Sequence, residues 1–163
     1  MVTATVLIVD DEENVRSALR RSLRKSGYTL LFAESGAAAL AVLQQERVEV
    51  VLSDHLMPGM TGLQLLRQVR QVKPYASRIM LTGHADLETA MEAIRRGDID
   101  RFLTKPWDDV DLRVALEMAA EKAQAEAENR RLLASLRAPA PAARGGPAGG
   151  EGPDQAPRAR VEQ

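Results

Sequence analysis

Asp10 and Asp11, Asp54, Thr82 and Lys105 each stand at or just beyond the end of a short apolar run in this 163-residue chain. Three carboxylates brought together repel one another, and the usual remedy is a bound divalent cation. Oxygen donors suit a hard ion such as Mg²⁺ better than zinc, and the chain has no cysteine to argue otherwise. Lys105 would add a positive charge and Thr82 a hydroxyl, both suited to the oxygens of a phosphoryl group. Metal, lysine, hydroxyl and a nucleophilic carboxylate are the parts needed to move a phosphoryl group onto an aspartate as an acyl phosphate. Each residue also has a plainer explanation. Asp10 and Asp11 could cap a helix, Asp54 could serve the turn at Met57, Pro58 and Gly59, and Thr82 and Lys105 could mark element boundaries. Those explanations must all hold at once, at one edge of one sheet, so a shared site is the stronger reading. His55 and His84 are weaker metal or acid-base candidates, because carboxylates already supply the harder donors.

Such a site needs elements that deliver its residues to one place. Thr5–Val9, Thr29–Ala33 and residues 48–53, 78–82 and 100–104 read as strands. Helical patterns lie between them. The first carries Val15, Leu19 and Leu23 and is closed by Gly27. Ser35 caps a helix with Ala38, Leu40, Val42 and Leu43, and Thr61 one with Leu63, Leu66 and Val69. Asp86 caps a fourth, through Met91 and Ile94 to Gly97. From Asp108 a last helix runs to about Leu136, its first turn rich in Asp as the helix dipole prefers. Strands alternating with helices, the strands nearly continuous in apolar residues, predict a doubly wound α/β domain around a five-stranded parallel sheet. Such sheets hold their sites beyond the carboxyl ends of the strands, where the strand order reverses. The five polar residues lie there.

Composition narrows the function classes. Apolar residues make up 45% of the chain but aromatics only 3%, so the core is aliphatic. A net charge of −1 offers no bulk attraction for nucleic acid or membrane. The first ten residues lack the basic and apolar regions of a signal peptide, and no apolar stretch reaches the roughly 20 residues of a membrane span. A cytoplasmic location is expected.

The segments LIVDDEE (7–13), LSDHLMPGMTG (52–62), MLTGH (80–84) and FLTKPW (102–107) together resemble the receiver domains of two-component response regulators. Four motifs occur in order, and the resemblance covers residue 5 to about 122. It implies a flavodoxin-like fold with Asp54 as phosphoacceptor. It further implies Mg²⁺ held by Asp11, Asp54 and the Leu56 carbonyl, with Asp10 acting mainly through water. Lys105 would contact the phosphoryl group across a cis Lys105–Pro106 peptide, and Thr82 and Phe102 would form a switch pair. Leu56 and His84 fall at positions flanking the phosphate, where the family tunes phosphoryl lifetime. The implied partners are a histidine kinase or phosphotransfer protein as donor and a downstream effector protein, in a phosphorelay.

Two alternatives stand beside that reading. A Mg²⁺-dependent phosphatase working through an aspartyl phosphate needs a second carboxylate two residues after the nucleophile, where this chain has Leu56. A larger regulator whose effector domain is absent from this chain is the other. No segment after residue 122 offers a helix-turn-helix, so direct nucleic-acid binding is not expected. The domain reading is a receiver over 3–122, a helical extension over 123–137 and a disordered Pro/Gly/Ala-rich tail over 138–163. Ala115, Met118, Lys122, Ala125, Asn129, Leu132 and Leu136 give the extended helix a thin coiled-coil seam, through which a homodimer could form.

Overall fold

A computed structural model describes residues 3–137, so the disordered tail expected over 138–163 lies outside the described residues. The chain divides into two compact units, one through Glu128 and one from Asn129. The first unit holds every candidate residue. Its strands are β1 (Thr5–Val9), β2 (Thr29–Ala33), β3 (Val50–Asp54), β4 (Ser77–Thr82) and β5 (Arg101–Thr104). The helices are α1 (Glu13–Ser22), α2 (Gly36–Gln45), α3 (Gly62–Val72), α4 (Leu87–Arg96) and α5 (Asp109–Arg137).

All strand pairs are parallel, in the order β2-β1-β3-β4-β5. The order reverses between β1 and β3, because β1 is followed by β2 on one side and by β3 on the other. Successive side chains of a strand face opposite sides, and both sides here are apolar. Leu7, Val9, Val51 and Met80 pack with Leu43, Leu65, Leu66 and Ala90 from the α2–α4 layer. Val6, Ile8, Leu52, Ile79 and Leu81 pack with Leu19, Leu112 and Leu116 from α1 and α5. Every residue of β3 and β4 is buried, as befits central strands of a sheet covered on both faces.

Several helix ends follow their sequence signals. The Ser35 side chain accepts the Ala38 N–H, and Thr61 and Gln64 form a reciprocal capping box. Gly97 ends α4 at φ +78, in the left-handed region that favours glycine. Asp108 takes the N–H groups of Val110 and Asp111 on one carboxylate oxygen at the start of α5.

Other ends differ. α1 stops at Ser22 rather than running to Gly27, which lies in the turn before β2. The Leu23 carbonyl is taken by both the N–H and the hydroxyl of Ser26, and the same hydroxyl accepts from Tyr28 N–H. A serine closing its own turn competes with helix continuation. Asp86 makes no side-chain cap for α4. A 3₁₀ turn over His84–Asp86 leads into that helix instead. The third strand begins at Val50, later than expected, and just before it the Glu49 carboxylate accepts the Thr5 N–H at the foot of the sheet.

The coiled-coil seam also needs correction. Ala115 is buried with Leu112, Leu116, Ala119, Ala120 and Ala123 under α5, and Lys122 pairs with Asp100. Two of the seam positions are thus committed inside the first unit. Gln124 donates to the Thr3 carbonyl, so the packed part of α5 extends past residue 122. Leu132, Leu133 and Leu136 of the second unit are exposed.

The loop after β3 closes on a glycine. Gly62 donates to the His55 carbonyl at 2.7 Å, and α3 starts directly against the Asp54 backbone. A Cβ there would press on the Asp54 carbonyl and stand 2.9 Å from His55 Cα. Since those neighbours are backbone, they cannot swing aside. Gly62→Ala is expected to cost about 1–3 kcal/mol of stability, read as a lowered urea midpoint. Gly83→Ala, with nothing within 4 Å of its new methyl group, should stay within about 0.5 kcal/mol of wild type. Equal midpoints for the two variants would contradict the tight approach at Gly62.

Candidate functional site

The carboxyl ends of β1 and β3 lie side by side, with Val9 paired to Ser53. That pairing sets Asp10 beside Asp54. Asp54 is the last residue of β3, in register with Leu81, so the sheet ladder holds its backbone. Asp10 follows β1 and donates its own N–H to the Ala33 carbonyl. Asp10, Asp11 and Asp54 each offer a carboxylate oxygen within 4.8 Å of the others, and they are the one such donor group among the described residues. Asp10 and Asp54 are buried, and Asp11 is exposed. Two like charges at that separation repel by about 3 kcal/mol in surroundings of effective dielectric near 20.

Lys105 opposes this repulsion. Its Nζ lies 2.9 Å from Asp54 Oδ1 and 3.1 Å from Asp10 Oδ2. The other Asp10 oxygen accepts the Glu12 N–H at 2.9 Å. Three negative charges therefore meet one positive charge, and the site remains anionic. Burial pushes the Asp54 carboxyl above its ordinary value. The charge of Asp10 adds to that, while Lys105 and the His55 N–H oppose it without cancelling it. For Lys105, burial works against the ammonium form. The hydrogen bond to Asp54 and the charges of Asp10 and Asp54 outweigh it, so its pKa is raised.

The remaining candidates surround this pair. Thr82 ends β4, is buried, and its hydroxyl donates to the Gly83 carbonyl at 3.2 Å. The Thr82 carbonyl receives the Lys105 N–H at 2.9 Å, which ties the lysine's backbone to β4. The Lys105–Pro106 peptide is cis. Phe102, half-buried on β5 in register with Met80, packs against the α2–α4 side of the sheet. Leu56 is exposed in the loop two residues past Asp54. His55 is buried beside Asp54 with no hydrogen bond to Nδ1, and neither it nor the exposed His84 joins the donor group. The helix-cap explanation for Asp10 and Asp11 fails, since Glu12 occupies the N-cap of α1 and no side chain caps it.

Two further side chains support these residues. The Arg16 guanidinium donates to the Asp10 carbonyl at 2.7 Å, fixing the loop that bears the first two carboxylates. Trp107, a residue type that more often packs at the start of a last helix than anchors a partner, packs against the α1–α5 cluster and donates its indole N–H to Ser22.

An acidic cluster with one lysine, at the order reversal of a 2-1-3-4-5 parallel sheet, marks a flavodoxin-like domain. Residues 6–117 match the response regulator receiver domain family, and the chain belongs to it. Receiver domains are the phosphoryl-accepting signalling domains of two-component systems. The transcriptional regulator NtrC of Escherichia coli K12 is 41% identical over 116 residues, covering 71% of this chain and 24% of the relative. FixJ of Rhizobium meliloti is 39% identical over 121 residues, covering 74% of this chain and 59% of its own length. The chain thus spans about a quarter to three-fifths of these regulators. The solved signal receiver domain of an HD domain-containing protein from Pseudomonas fluorescens Pf-5 superposes with a TM-score of 0.73 at 38% identity, over 78% of this chain and 94% of that one.

The raised pKa of Asp54 has a testable sign. Well below the ordinary carboxylate value of about 4, folded and unfolded chains both hold the proton. Above it the unfolded chain releases the proton first, so this residue's contribution to stability falls as pH rises toward the folded value. In EDTA, wild type should therefore lose stability relative to Asp54→Asn as pH climbs through that window. Urea unfolding at stepped pH measures the difference. A wild type that gains on the variant would mean the carboxylate is stabilised by its surroundings rather than crowded.

Proposed function

We propose that this chain is a phosphorylatable switch in which Asp54 accepts a phosphoryl group from a partner's phosphohistidine. The convergence of Asp10, Asp11 and Asp54, with the Lys105 ammonium on two of them, carries this reading. Oxygen-only donors with unbalanced negative charge fit a hard divalent cation, and Asp11, Asp54 and the Leu56 carbonyl would hold Mg²⁺, with Asp10 behind them. When bound, the ion would neutralise the carboxylates and the incoming phosphoryl oxygens.

The chain's own residues do the rest. A carboxylate oxygen of Asp54 attacks phosphorus, a new P–O bond forms, and the N–P bond electrons return to the donor imidazole. Lys105 then exchanges its contact with Asp54 for one with a phosphoryl oxygen, keeping its charge where negative charge grows. Thr82 is one strand away, its hydroxyl engaged only by the neighbouring Gly83 carbonyl. Turning that hydroxyl to a phosphoryl oxygen would open space at the end of β4 for the Phe102 ring. Such a switch redistributes two conformations, and a few kcal/mol of differential contact is enough. The changed surface would be read by a downstream effector protein, or by an effector domain of a larger regulator. Catalytic turnover is not part of this reading, because Leu56 stands where an aspartyl-phosphate phosphatase would carry its general acid.

Treatment of the full chain with acetyl phosphate and Mg²⁺ should add one phosphoryl group by intact mass. EDTA and Asp54→Ala should each abolish it. Thr82→Ala should keep the adduct but lose most of the accompanying change in amide exchange near α4. An adduct that persists in Asp54→Ala would sink the assignment of the acceptor.

A further inference from the structure

Lys105 must reach two carboxylates that come from different strands, and little of its own loop could hold it there. Its backbone is tied on one side by the N–H donated to Thr82. On the other side, only Pro106 separates it from Trp107, the single tryptophan of the chain. The Trp107 indole N–H donates to Ser22 Oγ at 3.3 Å, and the same hydroxyl donates to Asp109 Oδ1 at 2.8 Å. These contacts cross 85 and 87 residues of sequence. A serine serving only its own helix end would bond a nearby carbonyl, as Ser26 does with Leu23. Ser22 instead ties the last residue of α1 to Trp107 in the β5–α5 loop and to Asp109 at the start of α5.

α1 links the same loop to the acidic cluster. Its first turns follow Asp10 and Asp11 directly, and Arg16 grips the Asp10 carbonyl. A ten-residue helix is a rod of about 15 Å, tied at one end to the Asp10 backbone carbonyl and at the other to Trp107. The path from Asp10 through Arg16, α1, Ser22 and Trp107 to Lys105 then closes on itself, because Lys105 Nζ contacts Asp10. We propose that Ser22 is a positioning residue: with Trp107 it forms a brace that sets Lys105 between Asp10 and Asp54. The brace touches neither phosphoryl donor nor metal ligand, and its effect on phosphoryl transfer rests on the function proposed above.

The test uses the full chain as wild type, Ser22→Ala, Ser22→Thr and Trp107→Phe. Three quantities are read: the rate of adduct formation from acetyl phosphate at saturating Mg²⁺, the Mg²⁺ affinity, and the reactivity of the Lys105 amine toward an acylating reagent by peptide mass mapping in EDTA. Ser22→Ala should slow adduct formation about tenfold, as a small misplacement of a charged group does. It should not weaken Mg²⁺ binding, because the carboxylate ligands are untouched and a displaced ammonium competes less with the ion. Lys105 reactivity should rise several-fold, and the Trp107 emission maximum should shift once its N–H loses its acceptor. Trp107→Phe should match Ser22→Ala in rate and reactivity, and Ser22→Thr, which restores the hydroxyl, should return both toward wild type. Wild-type rate and Lys105 reactivity in Ser22→Ala would overturn the brace. So would a parallel loss of Mg²⁺ affinity with no rescue by threonine, the mark of general loosening. If wild type takes no phosphoryl group while Lys105 reactivity still follows the Ser22 hydroxyl, the brace stands and the proposed function falls.

Discussion

Repulsion among the carboxylates of Asp10, Asp11 and Asp54 is the constraint around which the first unit is arranged. Parallel pairing of β1 with β3 puts two of these charges at adjacent strand ends. Neither can move away, since Asp54 belongs to a strand buried along its whole length and Asp10 is itself buried. One ammonium group answers two of the three carboxylates. The cost of leaving the balance unmet is of the order of a few kcal/mol, comparable with a large part of the stability of a small domain. A domain that keeps such a cluster is poised to gain when positive charge arrives.

The fold makes that poise possible by separating its tasks. Apolar layers on both faces of the sheet supply stability and keep the strands in register. Polar chemistry is confined to the carboxyl edge, where loops are free to carry it. Even there the loops are not loose. The loop after β3 is drawn tight by Gly62 against Asp54, and the loop after β5 is fixed by Lys105 N–H, Trp107 and Asp108 within four residues. A population switch needs a few elements that move and many that do not. The 3₁₀ turn before α4, whose Asp86 makes no side-chain cap, contrasts with the firmly bonded end of the same helix. At that end Arg78 donates to the carbonyls of Gly97 and Asp98, and Asp98 pairs with Arg67 and Arg70.

Much of this is legible in the sequence, for physical reasons. β1 and β2 are readable to the residue, because apolar runs bounded by polar or turn residues have few other uses. The five polar residues are legible because each ends or follows a strand, and a parallel sheet brings strand ends together. The missed features depend on particular hydrogen bonds and on packing between elements, neither of which periodicity records. The early end of α1 turns on Ser26 competing for a carbonyl, which helical periodicity does not record. The seam through Ala115 looked open because alanine is neutral in a pattern; only the sheet beneath α5 claims it. Arg16 and Ser22 resemble ordinary surface residues of a basic amphipathic helix; Arg16 folds back onto the Asp10 carbonyl, and the partners of Ser22 are known only once α1 is laid beside the β5–α5 loop.

The central claim is that unbalanced negative charge at the strand ends constitutes a single divalent-cation site. Calorimetric titration of Mg²⁺ into the full chain tests it most directly, with Asp11→Asn and Lys105→Met as comparisons. One ion should bind wild type. Asp11→Asn should lose most of that affinity while keeping the buried Asp54–Lys105 contact, and Lys105→Met, which removes the competing ammonium, should bind more tightly than wild type. Mg²⁺ binding unchanged in Asp11→Asn, or weakened in Lys105→Met, would contradict the charge balance on which the site is built.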